Sequence, residues 1–422
     1  MNNKKPTLGI LFGVYFVSLI SNIPMFASVA GPTIMTVFPD ATDSLVSQIV
    51  TLPQLTGLIT ILLAGVLGDK IGKKNIGLFG AALWTIFGAL AGTAKTLTQI
   101  LIYRGIMGLG MGCLLPLGVA LVMDFFSNSP KLNNYMSAQS FIMNLGGIVG
   151  SALVGWLVQI ISWKWAFFIH IIGVILFISF LCLPAKKDWP VAFAGPGGPG
   201  GPGGPGPDAP KAKLPAKVFL MAFMLIFFTI AQTGYMQSLP FIISDNISVE
   251  QAPFLAGSVM STANLVAMIM ALAFPIAAKI AKKYMPTLCM AFVAVGILIT
   301  SKAPSYAFLV VGAIVFGIGQ GMFQPTVFTM ACTLAGPATM QATSLLSIAA
   351  SVGGYAFSIV FIPLCQKLGG FGFGAQLVAT CVVILAIDAI AFILFSASLK
   401  FNPYERPEMP GPGGPGPDAP QA

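Results

Sequence analysis

Asp69-Lys70-Ile71-Gly72-Lys73-Lys74 decides how this chain reads, because its pattern returns 209 residues later as Ala278-Lys279-Ile280-Ala281-Lys282-Lys283. The same offset carries Gly108, Gly110, Gly112 and Pro116 onto Gly317, Gly319, Gly321 and Pro325. Small residues at helical spacing let helix backbones approach closely in lipid, and short basic runs mark loops between spans. Two matches of different kind at one offset point to a single bundle built twice.

Composition names the solvent around that bundle. Apolar residues make up 56% of the chain and charged residues 8%, against roughly 25% charged in a soluble domain. A surface drawn from such a pool faces lipid. Measured against the ~20 residues that cross a bilayer, the apolar runs predict twelve spans. They lie near 8–29, 45–67, 76–94, 97–124, 136–161, 165–184, 216–240, 253–277, 285–302, 305–333, 340–366 and 374–398. The expected class is an all-α integral membrane protein made of two pseudo-symmetric six-helix bundles.

The net charge of +9 is a loop property and not a nucleic-acid footprint, so no nucleic-acid partner is expected. With the N-terminus inside, the cytoplasmic loops collect sixteen basic residues and the opposite loops only Lys95, Lys164, Lys302 and Lys367. That asymmetry predicts a multi-pass protein of the plasma membrane with both termini cytoplasmic. The first apolar run is long and lacks a cleavage-site pattern, so it reads as a span. All six cysteines fall in predicted spans without a Cys-x-x-Cys pair, and His170 is the lone histidine. No metal site and no cofactor are expected.

The domain organisation follows: an N-terminal bundle over 1–184, a Gly/Pro-rich cytoplasmic linker over 185–214, a C-terminal bundle over 215–400 and a tail over 401–422. Residues 201–210 recur unchanged at 411–420 as Gly-Pro-Gly-Gly-Pro-Gly-Pro-Asp-Ala-Pro. This composition suits an extended, solvated spacer, with a proline-reading partner as the alternative.

Two charges stand inside spans, where an ion costs several kcal/mol unless it is paired or faces a cavity. Arg104 lies about eight residues into the fourth run, and Asp388 interrupts the twelfth. Arg104 is open to three readings: lowering the proton affinity of a nearby acid, anchoring an anionic solute, or bonding to backbone carbonyls. For Asp388, proton carriage competes with packing against a polar neighbour.

The loop segment Gly65-Val66-Leu67-Gly68-Asp69-Lys70-Ile71-Gly72-Lys73-Lys74 resembles the loop between the second and third helices of the major facilitator superfamily, at every position of that pattern. The resemblance implies a charge latch of Asp69, Lys73 and Asp124, framed by Gly65 and Gly72, closing against an eleventh helix that begins near Pro337–Met340. Arg104 with Gly108 and Gly110 resembles the fourth-helix motif of proton-coupled members. Gly146, Gly147, Gly150 and Gly155 resemble the glycine-rich fifth helix of drug antiporters, with Ser151 in place of a proline. Trp163-Lys164-Trp165 through His170 resembles the entry to their sixth helix, His170 standing where asparagine is usual.

In this family spans one, four, seven and ten line the cavity. Tyr15, Ser18 and Asn22 share one helical face, as do Thr229, Gln232, Thr233 and Gln237. Gln320 and Gln324 complete the cavity candidates, and an interhelical hydrogen bond is the competing role of each. The implied activity is secondary active transport of a small organic solute by alternating access, with no enzymatic step. Within it the expectation is a monomeric, proton-coupled antiporter for export of drugs or metabolites. Exchange of an organic anion held by Arg104, or a non-transporting sensor on the same fold, are the alternatives.

Overall fold

The computed structural model describes residues 8–126, 132–183, 214–335 and 339–367. Every regular element among them is helical. The helices are α1 (Leu8–Ile20), α2 (Gly31–Val37), α3 (Asp43–Ile71), α4 (Lys73–Leu90), α5 (Leu97–Phe126), α6 (Leu132–Ile160), α7 (Trp165–Phe168) and α8 (Gly173–Leu181). They continue as α9 (Ala216–Asn246), α10 (Ala252–Ala281), α11 (Met285–Ser301), α12 (Tyr306–Ala335), α13 (Thr339–Ala356) and α14 (Ile362–Lys367). Nine stretches among the described residues are long and apolar enough to cross a membrane, and Trp165–Leu181 and Ile348–Leu364 are shorter apolar helices. Eleven predicted spans are thus occupied by helix. The twelfth, 374–398, lies outside the described residues.

Three predicted spans are interrupted. The first leaves α-geometry after Ile20 and runs as a 3-10 segment over Ile23–Ala30 before α2. Pro24 and Pro32, at the start of the two new segments, lack the N–H that a continuous helix would use. The sixth carries a 3-10 turn over Ile169–Ile172, between α7 and α8. The eleventh opens into a π-turn over Phe357–Phe361 between α13 and α14, ahead of Pro363. Such wide turns release backbone carbonyls for other partners.

The repeat read from the loops governs the packing. Helices α5 and α12 start 209 residues apart, at Leu97 and Tyr306. α5 packs against α3 and α4, and α12 packs against α10 and α11. The small residues make corresponding contacts in both copies, in register on α4 and α11 and shifted by one residue on α3 and α10. A Cβ added at Gly110 would meet the backbone of Gly80 and Trp84, and one at Gly319 would meet Cys289 and Val293, their equivalents at the offset. Gly112 faces the carbonyl of Gly57, and Gly321 that of Ala267. These glycines cannot carry a side chain without parting the helices.

Between α3 and α4 the chain turns at Gly72, whose φ of 89° and ψ of 139° favour glycine. The second copy makes its turn with a positive φ at Lys282. Lys74 donates from Nζ to the carbonyl of Leu181 at 2.8 Å and also to that of Leu183, so this loop cation caps the C-terminal end of α8.

Candidate functional site

The two copies meet along seams of hydroxyls, carbonyls and glycines at the end of the bundle opposite the Gly72 loop, where Asp43 of the first copy and Asp245 of the second also act on each other electrostatically. On one side α6 lies against α10. Gly155 and Gly257 meet backbone to backbone, Ser151 Oγ is 2.8 Å from Ser261 Oγ, and Ser261 Oγ donates to the carbonyl of Ile148 at 2.9 Å. On the other side α3 meets α9 and the π-turn. Ser358 Oγ lies 2.7 Å from Ser47 Oγ and 2.6 Å from Thr51 Oγ1, and its carbonyl accepts from Ser44 Oγ at 2.8 Å. Ser47 also donates to the Oε1 of Gln237. The π-turn thus presents one residue to three hydroxyls of the other copy.

Below these seams lies a cavity of about 120 Å³ between the copies. The first set of six helices contributes Asn22, Met25, Phe26, Met143 and Asn144, and the second contributes Gln232, Met236, Met260, Asn264, Gln320 and Gln324. The wall holds six carboxamides, four thioethers and one phenyl ring. No ionisable side chain is among the lining residues. The break after Ile20 is what brings Asn22, Met25 and Phe26 to it. Asn22 Nδ2 also donates to the carbonyl of Met143 at 3.3 Å, tying the broken helix to α6.

Four of the predicted cavity residues, Asn22, Gln232, Gln320 and Gln324, therefore come together. Tyr15 packs instead beside the buried apolar cluster of the first copy, and Gln237 is drawn into the seam. Met143 and Asn144 on α6, with Met260 and Asn264 on α10, are additions that the structure makes to the expected set. Their signal is present in the sequence as an amide beside a thioether inside apolar runs, adjacent at Met143-Asn144 and one helical turn apart at Met260 and Asn264. They lie outside spans one, four, seven and ten, to which the family resemblance assigns the cavity.

Arg104 does not line the cavity. It is fully buried, and its guanidinium fork is used by the backbone. Nε donates to the carbonyl of Ile49 at 2.6 Å and Nη2 to that of Pro24 at 2.6 Å. Nη1 approaches Met107 Sδ at 3.3 Å and His170 Nε2 at 3.5 Å, and the group sits 5.8 Å from the Phe167 ring centre. His170 Nδ1 lies 2.8 Å from the carbonyl of Phe167. With Nδ1–H donating there, Nε2 is left to accept from Arg104. The imidazole packs against Trp84 in a tilted arrangement, ring centres 4.6 Å apart, and occupies the space over Gly88. The node joins α5 to α3, to the broken first helix and to the turn before α8. At the offset the second copy has Ala313, and there a stack of Tyr235 on Phe316 at 3.9 Å fills the core.

Of the expected latch, Gly72 and Lys73 belong to the turn just described, and the described part of the eleventh helix runs from Thr339. The side chains of Gly65, Asp69 and Asp124 lie outside the described residues, as does all of Asp388. Among the described residues no group of three His, Cys, Asp or Glu side chains is placed to hold a metal ion.

Comparison with known proteins agrees with this architecture. The family model described as Major Facilitator Superfamily matches residues 8–358. The multidrug transporter protein MdtP of Bacillus subtilis (strain 168) is 27% identical over 153 residues, 36% of this chain and 28% of that protein. The putative multidrug resistance protein MdtD of Pectobacterium atrosepticum is 35% identical over 125 residues, 29% of this chain and 26% of that protein. The matched stretches thus span only about a quarter of the length of these curated relatives. In solved structures the fold is similar to a bacterial homolog of the human lysosomal transporter Spinster, in an inward-facing and occupied conformation. The TM-score is 0.70 at 14% identity, covering 94% of this chain and 98% of that one. It is also similar to a point mutant of the nucleoside transporter NupG, with a TM-score of 0.69 at 13% identity, covering 93% and 99%. A duplicated helical bundle, the loop motif between α3 and α4 and a family match over nearly its whole length leave one conclusion: the chain belongs to the Major Facilitator Superfamily, a family of membrane transporters and not of enzymes.

Proposed function

We propose that this protein is a secondary transporter that moves a small organic solute by alternating access through the cavity between its two copies. The observation that carries this reading is the position of that cavity, walled by both copies and sealed at one end by seams of hydroxyls and bare glycines. Rocking of one copy against the other would part those seams and close the Gly72 end. We read the protein as two six-helix halves joined by the 185–214 linker, acting as a monomer in the plasma membrane with both termini cytoplasmic. Export is supported by the names of the multidrug relatives, and protons are the coupling ion that the sequence resemblance implies. Exchange of a carboxylate held by Arg104 has less support, because that guanidinium is committed to the carbonyls of Pro24 and Ile49.

The test is flux in proteoliposomes of the full chain under an imposed pH gradient, with a panel of labelled neutral and charged solutes. Saturable, gradient-dependent flux is the expected result. Binding without any flux would favour a sensor, and flux indifferent to the gradient would remove proton coupling. Asp69→Asn is expected to slow transport severalfold with solute binding largely kept, since it would weaken the latch and leave the cavity wall untouched. An unchanged rate would remove Asp69 from the gating machinery.

A further inference from the structure

We infer that the cavity is built for an uncharged, single-ring organic solute whose edge carries both amide-type donors and acceptors. The inference rests on the transport reading above and narrows it to a substrate class.

Charge comes first. None of the eleven lining residues is ionisable, and Arg104 has its N–H groups spent elsewhere. An ionic solute would shed water and find no counter-charge in the wall, which is unfavourable at this depth. The wall is not greasy either. Each carboxamide offers a donor and an acceptor in one plane, and six of them converge from α6, α9, α10, α12 and the break in the first helix. Asn22 and Asn264 each spend a donor on a backbone carbonyl. Gln232, Gln320 and Gln324 have no hydrogen-bond partner among the described residues, and the Oε1 of Gln320 is buried in that state. Gln324 is exposed and Gln232 half-buried, so the Oε1 of Gln320 is the cavity atom among these three that is held away from water unpaired. Such atoms are ordinarily paired, and its missing partner belongs to what the cavity receives. Three glutamines on one wall suit a ring edge with N–H next to C=O, because a carboxamide can pair with both at once.

Shape and size follow from the other lining groups. Met25, Met143, Met236 and Met260 are flexible and polarizable, and thioether sulfur packs well against aromatic rings. Phe26 adds a flat face. The volume of about 120 Å³ is close to the roughly 150 Å³ cavity that takes one benzene ring. A conjugated monocycle fits, and a fused polycyclic compound would force the seams apart.

The test is calorimetric titration of the purified full-length protein with uracil as probe, an uncharged ring with two N–H donors and two carbonyl acceptors. Benzoate is the probe of similar size with charge, and toluene the probe without hydrogen bonds. Saturable uracil binding, at least about tenfold tighter than either of the other two, is expected. Asn264→Leu and Gln324→Leu should each weaken it by about tenfold at unchanged melting temperature; using two sites on different helices guards against one variant misfolding. Benzoate or toluene binding as tightly as uracil, or no binding by uracil at all, overturns the inference. Counterflow of labelled uracil into proteoliposomes separates the two claims. Binding without counterflow would defeat the transport reading and keep the ligand class. Flux of charged solutes with no uracil binding would do the reverse.

Discussion

Replacing Arg104 with alanine is expected to abolish flux and to destabilise the purified protein more than any other single change in its first half. The reason is local. The guanidinium satisfies two carbonyls, Pro24 and Ile49, at 2.6 Å each in a fully buried position. Removing it leaves both without donors, at about 1–3 kcal/mol each, and leaves a void beside His170 and Phe167. The lost contact with Pro24 also frees the 3-10 segment that carries Asn22, Met25 and Phe26 to the cavity. Arg104→Lys discriminates between charge and geometry. An ammonium keeps the charge but cannot reach two carbonyls and an imidazole in a planar fork. The expected outcome is a lysine variant with a lowered melting temperature and little flux. A lysine variant with full flux and normal stability would restore the view that the charge itself is what matters.

Gly155→Leu is expected to reduce flux to background in a protein that still folds. A Cβ at Gly155 would stand 2.6 Å from the carbonyl oxygen of Pro253 and 3.1 Å from the Cα of Gly257. Both obstacles are backbone, so no side chain can swing aside, and the helices must part. Because α6 and α10 belong to different copies, their separation opens the sealed end without damaging either core. Spin labels placed in the loops at 38–42 and 247–251 should report longer distances in the variant. Unchanged distances together with normal flux would show that this seam is not a moving surface.

The helices and their duplication are legible in the sequence because both leave a periodic record: apolar runs of bilayer length and small residues at a fixed offset. The agreement of α5 with α12 at their starting residues is the physical result of that record. The interruptions are less legible. Pro24 and Pro32 signal a break in the first span, but what the freed carbonyl of Pro24 binds depends on an arginine 80 residues away. The π-turn at Phe357–Phe361 has no comparable local signature. It is visible only through the three hydroxyls of α3 that meet Ser358. The cavity is half legible for a related reason. Polar residues on an apolar helix show where a face is, but not whether it meets a seam, as Gln237 does, or a void, as Gln324 does. Asn144 and Asn264 escape a reading by span number although their chemistry matches that of the glutamines across from them.

The hydrogen-bonded and closely packed seam groups between the copies are hydroxyls, carbonyls and bare Cα atoms, with Asp43 and Asp245 facing each other electrostatically beside them. Dissolved electrolyte weakens attraction between ions and leaves neutral contacts of this kind nearly untouched. Each such bond within lipid contributes only about 0.6 kcal/mol, so the closed end is held by fit and by the surrounding bilayer more than by any single lock. The balance between its open and shut forms would then follow the thickness and lateral pressure of the membrane, with dissolved salt acting through the like-charged Asp43 and Asp245 alone.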